Sequence, residues 1–365
     1  MTDTVTRRLI TLYEQMADPT LFLSGFFQSP PINFHTSKEV EVDIMRTDED
    51  VAVVLQDESL GYRSNSLDIY TNKSFVPPAY KELITLNSFD LLKRMPGSNP
   101  FEAPDFRANA MVRVLQGIRK VEDKIRRAVE IQASQVLQTG QLNLLDKGGN
   151  TIFDLDYAPK ATHFPTSAVS WATATGQQMR DDIENLGEVV RDDGLRDPEL
   201  AIMGTRAFSR FINNSDNRAA FDNRRIDVGE IIRRRPMGAG ASLRGVIDIG
   251  NYSYAIWTYA GRYKDPQTGN KLRFLDQDKV IVMSSDARLD LTWGAIPNLA
   301  KEMGVGGDRL LPELPARLPV AGANIDLFIN AWLDKSGENL YAGVGSRPLC
   351  IPTAIDQFGC LDTVP

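Results

Sequence analysis

The chain has 365 residues, 42% hydrophobic and 24% charged, a balance that suits a globular protein with room for two core-bearing units and excludes a disordered chain. Its 41 basic and 48 acidic residues leave a net charge of −7, which gives no general attraction to phosphate backbones. No apolar run reaches the length of a membrane span, and Glu14, Asp18 and Pro19 interrupt the apolar residues between 9 and 27, so neither a span nor a signal peptide is expected and synthesis is expected in the cytosol.

Residues 1–45 read as an arm. A short helix-like piece at 6–16 precedes Leu21, Phe22, Leu23, Phe26 and Phe27, an aromatic cluster with no long element of its own. Its own core and a neighbouring copy compete to bury it, and the reading favours the neighbour. Val40, Val42 and Ile44 alternate with Glu39, Glu41 and Asp43, the period of a half-buried strand. Residues 51–55 have strand composition, and 57–78 are polar and turn-rich. Loops beyond about 12–15 residues are uncommon in compact domains and usually functional, so 57–78 is expected to project as a two-stranded excursion. A strand and turn follow at 83–92.

The stretch that organises the chain runs from Asp105 to Gly140. Met111, Val114, Leu115, Ile118, Val121, Ile125, Val129 and Val136 fall on one face of a helix. The other face carries Arg113, Arg119, Lys120, Glu122, Asp123, Lys124, Arg126, Arg127 and Glu130 and is expected in water. Acid-first pairs at four-residue spacing, Glu122 with Arg126 and Asp123 with Arg127, support that face. A coiled-coil dimer competes, but its seam decays at Gln132 and the flanks are rich in strand signals, which favours a spine helix across a sheet of its own chain.

Residues 141–157 read as a hairpin continuing the sheet beneath the spine. After a linker-like stretch at 159–174 the chain becomes βα in character. A helix at 177–193 carries Met179, Ile183, Leu186 and Val190, and a buried strand at 200–203 leads into a helix with Phe208, Phe211 and Ile212. Strands are expected at 243–249, 252–259 and 280–283, with a tight hairpin between Tyr263 and Phe274. Residues 323–332 and a strand-rich stretch at 348–364 follow.

The residues offer little chemistry. Gly238, Gly240, Gly304, Gly306 and Gly307 do not complete a dinucleotide fingerprint, because Leu243 and Arg309 stand where a third glycine is needed. Two histidines, His35 and His163, and two cysteines, Cys350 and Cys360, are too few and too scattered for an ordinary zinc site. The cysteines are expected as reduced packing thiols, and no cofactor is expected. Acid pairs such as Asp181 with Asp182 and Asp192 with Asp193 suit a solvated surface. Arg233, Arg234 and Arg235 lack interleaved aromatics and suit a surface or subunit-facing patch rather than a nucleic-acid motif.

Several short motifs occur in a telling order: Pro19-Thr-Leu-Phe-Leu-Ser-Gly-Phe-Phe27, Phe34-His-Thr-Ser-Lys38, Leu91-Leu-Lys-Arg-Met-Pro96 and Asp105-Phe-Arg107 with the spine. Tyr259-Ala-Gly-Arg-Tyr263, Phe274-Leu-Asp276, the run from Val280 to Arg288 and Ser346-Arg-Pro-Leu349 follow. Together they resemble the lambda-like major capsid proteins of tailed bacteriophages over nearly the whole length. The resemblance implies an α+β fold: an N-terminal arm at 1–45, a strand and extended loop at 46–90 (loop 57–78), and a peripheral domain at 91–169 with its spine helix at 105–139. An axial domain at 170–317 and a C-terminal return to the peripheral sheet at 318–365 complete it. The implied role is structural, self-assembly into the icosahedral head shell that encloses the phage genome, in the virion after synthesis in the host cytoplasm. The implied partners are sibling copies in hexamers and pentamers, a scaffolding protein, a head protease, a portal, often a decoration protein, and double-stranded DNA touched weakly and without sequence preference. No long charged helical segment stands ahead of the arm, so the scaffold is expected as a separate chain. Candidate contacts between subunits are Phe22, Phe26, Phe27, Tyr70, Phe75, Arg233, Arg234 and Arg235. The rival reading is a cytosolic α/β enzyme with an unrecognised site.

Overall fold

The computed structural model describes residues 21–35, 39–45, 70–88, 106–146, 148–221, 240–296, 327–333 and 338–365. The helix-like piece at 6–16, the strand at 51–55, positions 57–69 of the excursion, the motif at 91–96 and Arg233, Arg234 and Arg235 lie outside these residues. In chain order the first elements are β1 (Val40–Met45), β2 (Tyr70–Phe75), β3 (Tyr80–Asn87), the long helix α1 (Phe106–Thr139), β4 (Gln141–Leu145) and β5 (Thr151–Asp156). Next come α2 (Gly176–Gly194), β6 (Leu200–Met203), α3 (Thr205–Asn213), α4 (Ser215–Phe221), β7 (Ala241–Ile249) and β8 (Tyr252–Tyr259). They are followed by β9 (Arg262–Lys264), β10 (Lys271–Arg273), β11 (Lys279–Met283), β12 (Leu289–Trp293), β13 (Phe328–Leu333), β14 (Asn339–Ser346), β15 (Pro348–Pro352) and β16 (Phe358–Asp362).

Helix α1 has 34 residues, about 51 Å at the usual rise. Gly140 ends it by taking φ +65°, a left-handed conformation that costs glycine no Cβ clash, while its N–H still reaches the Val136 carbonyl at 2.8 Å. The first half of the helix lies on an antiparallel sheet ordered β13-β14-β3. Val114, Ile118, Val121 and Ile125 pack there with Ile84, Leu86, Leu340 and Val344, so the apolar stripe faces the chain's own sheet. At Gly117 an added Cβ would sit 2.9 Å from the Ile84 side chain, which is how closely the helix approaches β3.

Around a second sheet, ordered β16-β11-β6-β8-β7, the chain builds two layers. The pair β6–β8 is parallel, and the other neighbours are antiparallel. Helix α2 covers one face: Met179, Ile183, Leu186 and Val190 pack with Ala201, Met203, Val280, Val282 and Tyr254. A capping box starts α2, with the Thr175 hydroxyl accepting from the Gln178 N–H at 3.2 Å and the Gln178 side-chain Oε1 accepting from the Thr175 N–H at 2.9 Å. The other face presents Ile202, Ile281, Met283, Phe358 and Cys360 to the main core, which includes Val129, Ala133, Val136 and Leu137 of the spine. One helix thus serves two cores along its length.

Three expectations are corrected. The hairpin β4–β5 does not extend the sheet beneath the spine; it forms a two-stranded sheet of its own, because Gly140 turns the chain back so that the Tyr157 N–H bonds the Gly140 carbonyl at 3.3 Å. A bulge between Leu144 and Leu145 follows, and Ile152 is left 72% exposed. The C-terminal return is divided: β13 and β14 join β3 under the spine, β15 pairs with β12, and β16 enters the five-stranded sheet beside β11. Phe358 and Cys360 face the main core while Leu361 faces α2, so β16 is covered on both faces although it stands at the edge of the sheet. Finally, the stretch expected as the excursion ends in a strand of the fold. β2 pairs antiparallel with β1, Val40 opposite Phe75 and Met45 opposite Tyr70.

Ile118 is 1% exposed in the middle of the stripe. Ile118→Asp places an unpaired carboxylate between helix and sheet and is expected to cost about 4 kcal/mol. Urea unfolding checks this; an unchanged midpoint would mean the stripe does not carry this half of the fold.

Candidate functional site at the spine junction

Beyond Arg127 the spine changes character. Glu130 is its last charged residue, and 131–139 contain no Lys, Arg, Asp or Glu. Here the helix is buried on several sides, and its polar side chains become anchors. Glu130 is 0% exposed, which corrects its expected place on the wet face. One carboxylate oxygen accepts from the Leu23 N–H at 2.9 Å and from the Tyr259 hydroxyl at 2.7 Å, and the other accepts from the Ser24 N–H at 2.8 Å. Leu23 and Ser24 begin a 3-10 turn at Ser24–Phe26, so their N–H groups have no partners within it. A carboxylate from a distant element therefore caps a helical N-terminus, where negative charge is favoured.

Three donors stabilise this buried charge, and no cation is needed. Burial, then the Glu130 carboxylate, holds the Tyr259 phenol well above its ordinary pKa, so it stays protonated and donates. Burial and Glu130 likewise push up the Cys350 thiol; Cys350 and Cys360 are free and buried, consistent with packing thiols.

Gln132, where the coiled-coil seam decays, ties two strands to the spine. Its Nε2 donates to the Tyr80 hydroxyl at 3.0 Å and to the Pro348 carbonyl at 3.2 Å, and its Oε1 accepts from the Cys350 N–H at 3.2 Å. Burial pushes the Tyr80 phenol up to about 12. One turn on, the Ser134 hydroxyl and the Gln138 amide both donate to the Phe274 carbonyl, and Gln138 accepts from the Asp276 N–H at 3.0 Å.

The arm is zipped into this junction. The Gln28 N–H donates to the Leu289 carbonyl and the Gln28 carbonyl accepts from the Leu291 N–H, both at 2.8 Å, which adds the arm to the edge of β12. Phe34 stacks on Trp293 with centroids 6.0 Å apart. Among the expected contact residues, Phe22 meets Trp257 and Tyr259 at 5.3 and 5.4 Å and Phe26 at 5.3 Å; Phe22 and Phe26 are partly buried. Phe27 is 5% exposed and belongs to the same core. Phe75 is 7% exposed and packs edge-on against Tyr157 at 5.7 Å, so it anchors the protomer and offers almost no surface to another molecule. Tyr70 contributes its backbone to β2. Behind Phe75, the Arg347 guanidinium donates to the carbonyls of Pro77 and Ala295, each at 3.0 Å. Nothing in the pattern marks Glu130, Gln132, Tyr259 and Arg347 as anchors; the uncharged run after Glu130 is the signal that this part of the helix is enclosed.

Glu130→Ala leaves two N–H groups and a phenol without their acceptor and is expected to cost on the order of 3 kcal/mol. Tyr259→Phe, which removes one donor, should cost about 1–2 kcal/mol. The double variant should cost less than the sum, because the two share one bond. Urea unfolding measures all three, and strict additivity would contradict the coupling.

No curated protein matches the sequence. Among solved structures, a protein described as a prophage capsid protein from Escherichia coli CFT073 is 16% identical, covers 99% of each chain and superposes with a TM-score of 0.66. A phage-related protein from Bordetella bronchiseptica RB50 is 11% identical over 98% of this chain and 96% of its own, with a TM-score of 0.46. The first likeness shows the fold. The sequence itself matches the family described as phage major capsid protein E over residues 5–358. The rival reading as an α/β enzyme finds no support in that family. With the match running through arm, spine and both sheets, this chain belongs to the phage major capsid protein E family and is a structural protein of the phage shell.

Proposed function

We propose that copies of this chain assemble as hexamers and pentamers into a closed icosahedral head around double-stranded DNA. A separate scaffolding protein guides assembly and a portal occupies one vertex. The protomer is made in the host cytoplasm and ends in the virion. A net charge of −7 suits a container whose DNA must move during packaging, because the container does not neutralise phosphates in bulk.

The observation that carries the assembly reading is the ribbon β1–β2. With Met45 opposite Tyr70, the two ends of the intervening segment stand about 5 Å apart, although residues 46–69 far exceed the few residues a hairpin needs. A connection of that length between two paired strands is kept for contacts with other molecules. The part of the expected excursion that holds Phe75 and Pro77 belongs to the core, so the assembly element is confined to 46–69.

Coexpression with the phage scaffold should give closed shells tens of nanometres across by negative-stain imaging, and a strictly monomeric product would contradict the reading. Replacing 46–69 with a short Gly-Ser turn should leave the melting temperature nearly unchanged, since loop-closure entropy varies slowly with length, and should abolish particles. Normal particles from that variant would remove the segment from assembly.

A further inference from the structure

The ribbon β9–β10 is electrostatically unfavourable in the isolated chain. Its register sets Lys271 opposite Lys264 and Arg273 opposite Arg262, with only Leu272 and Tyr263 between them. Like charges directly across a strand pair are destabilising. None of the four makes an ion pair among the described residues, and the Arg273 Nη1 is buried without a hydrogen-bond partner there. The one acid in the turn is committed locally: the Asp265 carboxylate accepts from the Gln267 and Thr268 N–H groups, both at 3.2 Å, and from the Thr268 hydroxyl at 2.7 Å. The ribbon is held by Tyr263 packing on Phe274 at 5.1 Å and by the Gln267 amide bonding the Asp146 carbonyl at 3.3 Å. It is a platform of four cations that have no ion-pair partner among the described residues.

Helix α2 carries the opposite imbalance. Glu184, Glu188 and Asp192 follow one another at four-residue spacing, where like charges also repel. None of these three makes an ion pair among the described residues. The cations of the helix are engaged elsewhere, Arg180 with Asn217 at 2.6 Å and Arg191 with Asp197 at 3.1 Å. The Tyr252 phenol registers the field: burial, then Asp197, Asp192 and Glu188, raises its pKa.

The two sets cannot neutralise each other within one chain. Helix α2 packs on the face of the five-stranded sheet that carries Val280 and Val282, whereas Tyr263 and Phe274 join the core on the face that carries Ile281 and Met283. The sheet stands between them, so neither set can supply the counter-charge of the other.

We propose that the β9–β10 ribbon of one copy docks on the Glu184, Glu188 and Asp192 stripe of the next copy. This rests on the shell reading and names the contact. The two surfaces differ, so the contact is head-to-tail, the kind that closes rings when repeated by rotation. Opposed charge sets fix orientation and speed encounter more than they add affinity, which suits subunits that must find one register many times. DNA could satisfy the ribbon but would leave the acidic stripe uncompensated, so a second copy answers both observations.

The test is a charge exchange read by sedimentation of particles from coexpression with the scaffold. Lys264→Glu with Lys271→Glu, and separately Glu188→Lys with Asp192→Lys, should each lower particle yield about tenfold or more with the melting temperature of the protomer unchanged. All four substitutions in one chain should restore the yield to near that of the unmodified protein. The neutral pair Lys264→Gln with Lys271→Gln, which brings no new repulsion, should lose yield in the same direction. A four-fold variant as poor as either pair would overturn the proposal. So would a ribbon reversal that only empties particles of DNA while the α2 reversal is silent, since the partner would then be nucleic acid. If the unmodified chain forms no particles at all, it is the shell reading that fails.

Discussion

The protomer depends on a carboxylate that has no cation beside it among the described residues. Glu130 sits inside the protein with three hydrogen-bond donors around it, and an ion in that position is tolerated only while all of them remain in place. Two donors come from the arm and one from the end of β8. The requirement is therefore mutual: the arm turn needs an acceptor for its first N–H groups, Tyr259 needs one for its buried hydroxyl, and Glu130 needs donors. Moving any one of the three elements exposes the other two to the full cost of an unmet polar group.

This constraint explains why the spine is built in two styles. Its first half uses the ordinary apolar stripe on β3 and β14, a contact that tolerates small slides because dispersion and burial have little directional preference. Its second half adds directional bonds at Glu130, Gln132, Ser134 and Gln138 to the arm, Tyr259, Tyr80, β15 and the stretch Phe274–Asp276, which fix rotation and register about the helix axis. The structure is firm where arm, spine and five-stranded sheet meet. Imbalanced charge is left outside this junction, on β9–β10 and on α2, where it is available to neighbours.

Much of the fold was legible from periodicity. The spine falls at Phe106–Thr139 against an expected 105–139, β6 matches the apolar run 200–203, and the β9–β10 hairpin lies between Tyr263 and Phe274 as its turn residues indicate. These features are local: a helical stripe, a short apolar run and a turn each carry their own signal. Pairing is not local. Nothing in Phe358–Asp362 distinguishes a partner in the sheet under the spine from one beside β11, and the return of β16 to the five-stranded sheet went unread for that reason. Phe75 was misjudged because a polar, turn-rich context hides an anchor whose partner, Tyr157, is far along the chain. Glu130 was misplaced because helical charge counting assigns every ion to water, whereas its partners are backbone N–H groups, which carry no residue identity.

The central claim is that the arm, the spine and the five-stranded sheet behave as one unit through Glu130. Native-state hydrogen exchange of the protomer tests it most directly, because the two arm amides that bond the carboxylate report on the clamp itself. If the account is right, the amides of Leu23 and Ser24 are protected to the same degree as those of the surrounding spine turn and open only with it. Exchange of those two amides at the rate of unstructured chain, while the spine stays protected, would contradict it.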